Sequence, residues 1–178
     1  MSILKTFKID VCQRDLNFIY KKVSEYPWHE MPSDGGWQFG ANIDFMKDLC
    51  KYWVEQFDWK RQEDKINLFD NFTAEVDGIE VHFIYERGSG SKPKPLIISH
   101  GWPGSIIEFI EIIDPLAHPE RYGGNAEDAF DVIVPSLVGF GFSGKPPRPY
   151  GPRRMALIFN KLMTEVLGYK SYIAQGGD

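Results

Sequence analysis

The sequence after Phe72 alternates short apolar segments of strand type with segments that have helical periodicity. Residues 96–99 and 130–136 are nearly continuous apolar runs, as in strands buried on both faces, and residues 155–166 carry apolar side chains at helical spacing. Strands that alternate with helices form a parallel sheet joined by right-handed crossovers. We therefore predict the α/β class, with a mostly parallel sheet and helices on both faces.

A hairpin is predicted to precede these alternating elements. Asp77 and Gly78 separate two alternating segments, and an Asp-Gly pair in that position is a strong hairpin signal. A helix is expected over residues 106–113, Gly168 is placed to end the last helix, and a final strand follows through Gln175. The predicted order is hairpin, strand, helix, strand, helix, strand.

The first 70 residues have a different character. Apolar side chains at helical spacing predict helices over residues 16–23 and 45–53, the second one capped by Asn42. Residues 28–40 contain prolines, glycines and aromatic residues and are expected to form an irregular loop. We therefore divide the chain into a helical, aromatic-rich extension (residues 1–70) and an α/β part (residues 71–178).

Composition excludes several classes of protein. A net charge of −5 gives no electrostatic footprint for nucleic acid. No apolar run is long enough to span a membrane and the N-terminus lacks a signal peptide, so we predict a cytoplasmic protein. Cys12 and Cys50 form no metal-binding pattern and are read as free thiols. No metal and no cofactor are expected.

Two predicted strands end in residues that could take part in catalysis. Active groups of parallel sheets lie beyond the carboxyl ends of the strands. One such end leads into HGWPGS (residues 100–105), where the backbone N–H of Trp102 is a candidate oxyanion donor. The other leads through Gly176 and Gly177 to Asp178, which has the position of the nucleophile in a strand-to-helix elbow. A carboxylate nucleophile would give an ester intermediate.

Taken together, these segments resemble one family. HGWPGS at 100–105, PSLVGFGFSGKP at 135–146 and the stretch 154–178 are similar to epoxide hydrolases related to the microsomal and juvenile-hormone enzymes. Residues 37–40 and 52–72 resemble the N-terminal extension of that family, which wraps around the catalytic domain. The resemblance implies the N-terminal half of an α/β-hydrolase fold.

The resemblance also implies a reaction and its residues. A carboxylate opens the epoxide to give an ester, and water then releases a vicinal diol, a chemistry that would serve epoxide detoxification. Carried over to this sequence, the nucleophile is Asp178, and Trp102 gives the backbone oxyanion donor while its indole lines the pocket. The supporting residues are His100, Gly101 and Pro103, which order the loop, and Gly176 and Gly177, which form the elbow.

The family carries further catalytic groups after its nucleophile: cap-domain tyrosines, an acidic residue and a histidine base. None of these follows Asp178 in this sequence. We therefore expect a C-terminal polypeptide to complete the fold, supplied by a longer protein or by a second chain. Residues 1–178 alone are expected to be inactive.

Other functions fit the sequence less well. A haloalkane dehalogenase shares the aspartate and an HGxP loop, but Trp102 lacks the amide that would hold a halide. A non-catalytic, truncated binding module is an alternative of another class. The glycines of the GxGxxG pattern at 139–144 precede a proline-rich stretch that cannot begin a phosphate-binding helix. His29, His82 and His118 are isolated and receive no catalytic role.

Overall fold

A computed structural model of the chain describes residues 4–30 and 35–177. The chain divides into two compact units, residues 9–65 and residues 1–8 together with 66–178. How residues 1–70 are arranged relative to the rest of the chain stays a prediction. Within the described ranges, no helix is both long and apolar enough to cross a membrane.

The unit of residues 9–65 is helical, as the sequence predicts. Its helices are α1 (Gln13–Ser24), α2 (Ile43–Glu55) and α3 (Trp59–Ile66). The Asn42 side chain accepts a hydrogen bond from the backbone N–H of Phe45, which confirms the predicted cap of α2. Glu63 on α3 is buried and accepts hydrogen bonds from the Val11 N–H and from Lys60, so it ties the segment before α1 to α3.

In the described part of the second unit, six strands form one sheet that packs with helices. In chain order its elements are β1 (Lys5–Thr6), β2 (Asn71–Val76), β3 (Ile79–Glu86), β4 (Lys94–Ser99), a 3₁₀ turn (Ile106–Phe109), α4 (Ile110–Ala117), two further 3₁₀ turns (Pro119–Tyr122 and Ala126–Asp128), β5 (Phe130–Pro135), α5 (Pro152–Lys161), a π-turn (Leu162–Val166) and β6 (Ile173–Gly176). The strand order is β1-β2-β3-β5-β4-β6.

The predicted hairpin joins β2 to β3. Asp77 has φ 51° and Gly78 has φ 77°, so both turn residues adopt the left-handed conformation that a two-residue hairpin favours. Asp77 also pairs with Arg154 and Lys161 of α5, which holds the turn against that helix.

The sheet is mixed, and only part of it is parallel. Strands β5, β4 and β6 pair in parallel, while β1, β2 and β3 pair antiparallel, and β3 joins β5 antiparallel. The prediction of a mostly parallel sheet therefore holds for the β5-β4-β6 part alone. The hairpin and the short β1 make the remaining pairings antiparallel.

Helices cover both faces of the sheet. The core between the sheet and α5 contains Val81, Phe83, Ile97 and Ile133 packed with buried residues of residues 158–163. Residues that alternate with these along the strands, such as Ile84 and Val132, are buried on the opposite side, where α4 contacts β3 and β5. The prediction of helices on both faces is confirmed.

The helices deviate locally from regular α-geometry. The segment predicted as a helix from residue 106 begins with the 3₁₀ turn before α4, and the segment predicted over 155–166 ends in the π-turn. Gly168 follows with φ 77°, a left-handed conformation that glycine adopts without strain and that ends the helix as predicted.

Candidate active site

The two strand ends with predicted chemistry lie side by side. Strand β4 pairs in parallel with β6, and the register places Ser99 opposite Gly176. A pocket of about 460 Å³, the strand-end pocket, is lined by the loop at Gly101 and Trp102 and by Gln175 and Gly177. Asp178 lies outside the described residues and follows Gly177 directly in the sequence.

A second pocket adjoins the same loop. This α5 pocket has a volume of about 540 Å³, and its walls include Met155 and Phe159 of α5 and Leu137. Trp102 and Gln175 line both pockets. Trp102 is 71% exposed, and its peptide bond to Pro103 is cis.

His100 is buried and both of its ring nitrogens have hydrogen-bond partners. Its Nε2 lies 3.1 Å from the backbone N of Leu137, and its Nδ1 lies 3.0 Å from the carbonyl oxygen of Gly101. A backbone N–H only donates and a carbonyl only accepts. These two partners therefore place the ring proton of His100 on Nδ1 and the acceptor lone pair on Nε2. That lone pair accepts from Leu137, so His100 is not placed to act as a base.

The turn after the loop is closed by a reciprocal pair of hydrogen bonds. The Ser105 N–H donates to Glu108 Oε1 at 2.9 Å, and Ser105 Oγ accepts from the Ile107 N–H at 3.3 Å. A Cβ on Gly104 would lie 1.5 Å from Glu108 Oε1, so a side chain there would displace the Glu108 carboxylate from the turn. Glu108 is the one carboxylate among the described residues that line the two pockets.

His82 is a buried residue whose structural role the sequence reading missed. Its Nδ1 lies 3.0 Å from Ser136 Oγ and its Nε2 lies 3.1 Å from Asn71 Oδ1. Burial lowers the pKa of His82 from 6.5 to about 4. The sequence did contain a signal for this role. The apolar run of residues 83–85 indicates a strand buried on both faces, and a histidine in such a strand needs hydrogen-bond partners for both ring nitrogens.

Comparison with known proteins identifies the family and the fold of the chain. Residues 4–109 match the family described as "Epoxide hydrolase N terminus", and residues 94–178 match the "alpha/beta hydrolase fold" family. The chain belongs to the epoxide hydrolase N-terminus family. Its α/β part is the N-terminal portion of an α/β-hydrolase fold, as predicted.

Individual relatives support the same assignment. The chain is 33% identical to epoxide hydrolase 1 of Oryctolagus cuniculus and 33% identical to juvenile hormone epoxide hydrolase 1 of Ctenocephalides felis, covering 98% of this chain in both alignments. The crystal structure of juvenile hormone epoxide hydrolase from the silkworm Bombyx mori superposes with a TM-score of 0.87 at 30% identity, over 100% of this chain and 42% of that one. The chain spans 39% and 38% of the lengths of the two curated relatives.

Another polar cluster of this chain lies away from the site. The Tyr169 hydroxyl donates to Asp131 Oδ2 at 2.6 Å and lies 2.5 Å from the Tyr85 hydroxyl. Burial, together with these hydrogen bonds, raises the pKa of Tyr169. Asp131 is near the beginning of β5, whereas the pockets lie beyond the carboxyl ends of β4 and β6. Within residues 4–30 and 35–177, no cluster of three or more His, Cys, Asp or Glu side chains could hold a metal ion.

Proposed function

We propose that this chain supplies the nucleophile and the oxyanion side of an enzyme that hydrolyses epoxides to vicinal diols through an aspartyl ester. The observation that carries the proposal is the parallel pairing of β4 with β6, with Ser99 opposite Gly176. This register brings the HGWPGS loop beside the segment that leads to Asp178. The names of the family and of the relatives point to the same substrate class.

The proposed reaction has two steps. A carboxylate oxygen of Asp178 attacks one epoxide carbon, a new C–O bond forms, and the epoxide C–O bond breaks to leave an oxygen that takes up a proton. Water then adds to the ester carbonyl, and the acyl C–O bond breaks to release the diol and regenerate the carboxylate. The backbone N–H of Trp102 donates to the oxygen that becomes negative in this second step, when one such donor is worth about 100- to 1,000-fold in rate.

The remaining catalytic groups are proposed to come from polypeptide beyond residue 178 or from a second chain. Three ionisable side chains near the pockets or in the sheet core, those of His100, Glu108 and His82, support this proposal because each is already engaged or buried. His100 Nε2 accepts from Leu137, and Glu108 accepts from Ser105. His82 is fully buried, so it cannot reach a substrate. Neither a water-activating base nor a proton donor for the epoxide oxygen is therefore available from these three residues.

A single turnover in oxygen-18 water tests the nucleophile. The full natural protein that contains this chain is mixed in excess with an epoxide such as styrene oxide, and its peptides are analysed by mass spectrometry. One atom of label is expected in the Asp178 carboxylate. Glu108 is the internal control because its carboxylate lines the strand-end pocket but holds the turn. An unlabelled Asp178 after confirmed diol formation would disprove the ester.

Assays of the same full-length protein distinguish an epoxide hydrolase from a dehalogenase and from a binding module. An epoxide hydrolase forms diol and releases no halide, whereas a dehalogenase releases halide from a chloroalkane or bromoalkane. A binding module does neither. Asp178→Ala is expected to abolish diol formation while the far-ultraviolet circular dichroism stays that of the unmodified protein.

A further inference from the structure

Hydrogen bonds and one peptide link connect the buried part of the sheet with the loop that carries Trp102. This path begins at His82, continues through Ser136 to the neighbouring residue Leu137, and reaches His100. We propose that His82 and Ser136 are a positioning pair: by fixing the Leu137 N–H on His100, they set the direction in which the Trp102 N–H points.

The partners of His82 determine its tautomer. The Asn71 side-chain amide donates to the carbonyls of Ile66 and Phe69 at 3.1 and 2.8 Å, so its Oδ1 is the atom that accepts from His82 Nε2. His82 Nδ1 is then unprotonated and accepts from the Ser136 hydroxyl at 3.0 Å. His82 therefore carries its proton on Nε2, whereas His100 carries its proton on Nδ1.

Ser136 is held at the point where β5 leaves the sheet. Its backbone N–H donates to the His82 carbonyl at 2.9 Å, which continues the ladder between β3 and β5. The His82 N–H does not bond directly to the Ser136 carbonyl; the Ser143 hydroxyl bridges the two groups. It accepts from the His82 N–H at 3.0 Å and donates to the Ser136 carbonyl at 2.8 Å. The ring of His82 also makes edge contacts with Phe7 and Phe142 at centroid distances of 5.1 and 5.2 Å.

The last link acts through one planar peptide unit. His100 Nδ1 donates to the carbonyl of Gly101, and that carbonyl belongs to the same peptide group as the Trp102 N–H. This peptide is trans, since the cis bond of the loop is the next one, between Trp102 and Pro103. In a trans peptide the N–H points opposite to the C=O. The hydrogen bond from His100 therefore orients the N–H that we propose to be the oxyanion donor.

The proposal rests on the proposed function, but its first test does not need activity. The full natural protein is labelled with 15N-histidine, and the ring nitrogens of His100 are assigned by comparison with a His100→Gln variant. We expect an unprotonated Nε2 and a protonated Nδ1, the reverse of the tautomer preferred by free histidine. A protonated Nε2 in the unmodified protein would break this path and overturn the proposal without any further variant.

Two substitutions at His82 separate its two contacts. The amide oxygen of Asn reaches the position of Nδ1 and can still accept from Ser136, whereas the longer Gln reaches the position of Nε2 and keeps only the contact with Asn71. We expect His82→Asn to preserve the His100 signals and the rate of ester hydrolysis. We expect His82→Gln to shift the His100 signals and to slow ester hydrolysis by about 100-fold, the loss typical of a displaced catalytic group. Alkylation by the epoxide should be less affected.

The outcomes distinguish positioning from a general loss of structure. Equal effects of both substitutions, in proportion to their losses of thermal stability, would overturn the proposal. So would unchanged His100 signals in folded His82→Gln and Ser136→Ala proteins. If the His100 signals respond as expected but no epoxide is hydrolysed by the unmodified protein, the proposed function fails while the positioning of the loop stands.

Discussion

The folded protein should lose stability on mild acidification because His82 is buried in its neutral form. Its folded pKa is about 4, below the 6.5 of an exposed histidine, and burial is the cause. Between these values the unfolded chain binds a proton that the folded chain does not. The contribution of His82 to stability is therefore fully present above pH 6.5, is lost as the pH falls towards 4, and changes no further below 4.

The size of the effect follows from the two pKa values. Each unit of difference corresponds to about 1.4 kcal/mol, so the full loss is about 3 kcal/mol and the loss between pH 7.5 and pH 5 is about 2 kcal/mol. His82 has no exposed surface, so solvent screening does not reduce this estimate appreciably. A change of this size is a large part of the stability of a typical domain.

Urea unfolding at pH 7.5 and pH 5, for the unmodified protein and for His82→Asn, measures this contribution. Asn keeps an acceptor for Ser136 but does not titrate. The carboxylates titrate in both proteins, so their contribution cancels in the comparison. We expect acidification to cost the unmodified protein about 2 kcal/mol more than the variant. Equal losses in the two proteins would refute the assignment of a neutral, buried His82.

Three further substitutions test the loops around the pockets. Gly141→Ala should destabilise the protein by about 1–3 kcal/mol more than Gly123→Ala in urea unfolding. Both glycines have positive φ, but only at Gly141 would a Cβ meet a neighbouring atom, Ser136 Oγ, at 2.8 Å. Glu108→Ala should lower the free energy of unfolding by about 1 kcal/mol in the same assay, because the hydrogen bond from the Ser105 N–H to Glu108 is lost. Glu108→Gln can still accept this hydrogen bond and should lower it much less. Equal losses of stability would contradict the role given to the bond. Trp102→Ala should raise KM by about tenfold, equivalent to roughly 1.4 kcal/mol of apolar contact, and should change the rate of ester hydrolysis less, which single-turnover kinetics can separate.

Features determined by neighbouring residues were predictable from the sequence. The Asp77-Gly78 turn needs only its own two backbone conformations, and the Asn42 cap needs only a side chain three residues before the N–H that it accepts. That the HGWPGS loop and the Gly176 segment lie at the same edge of the sheet also followed, because parallel strands bring their carboxyl ends to one edge. That β4 and β6 are direct neighbours was not predicted.

Features that depend on distant residues were not predictable. His82 and Ser136 are 54 positions apart, and Leu137 and His100 are 37 positions apart, so no local pattern links them. The π-turn after α5 likewise has no signal in its apolar periodicity, although Thr164 donates to the Asn160 carbonyl, a type of bond that often bends helices. The antiparallel pairing of β3 with β5 depends on which edge of the parallel strands the β2–β3 hairpin pairs with. The alternation of apolar and polar residues along the strands does not specify that edge.

The pairing of β4 with β6 also determines when the site can form during synthesis. The hairpin β2–β3 can close as soon as its second strand is made, and β5 can then pair with β3 and β4. The other edge of β4 stays open until β6 has left the ribosome, about 5 to 15 seconds after β4 at ordinary rates of elongation. During that interval the apolar residues of β4, including Leu96 and Ile98, are available to other chains. The edge on which the HGWPGS loop depends is thus open to misassociation during that interval.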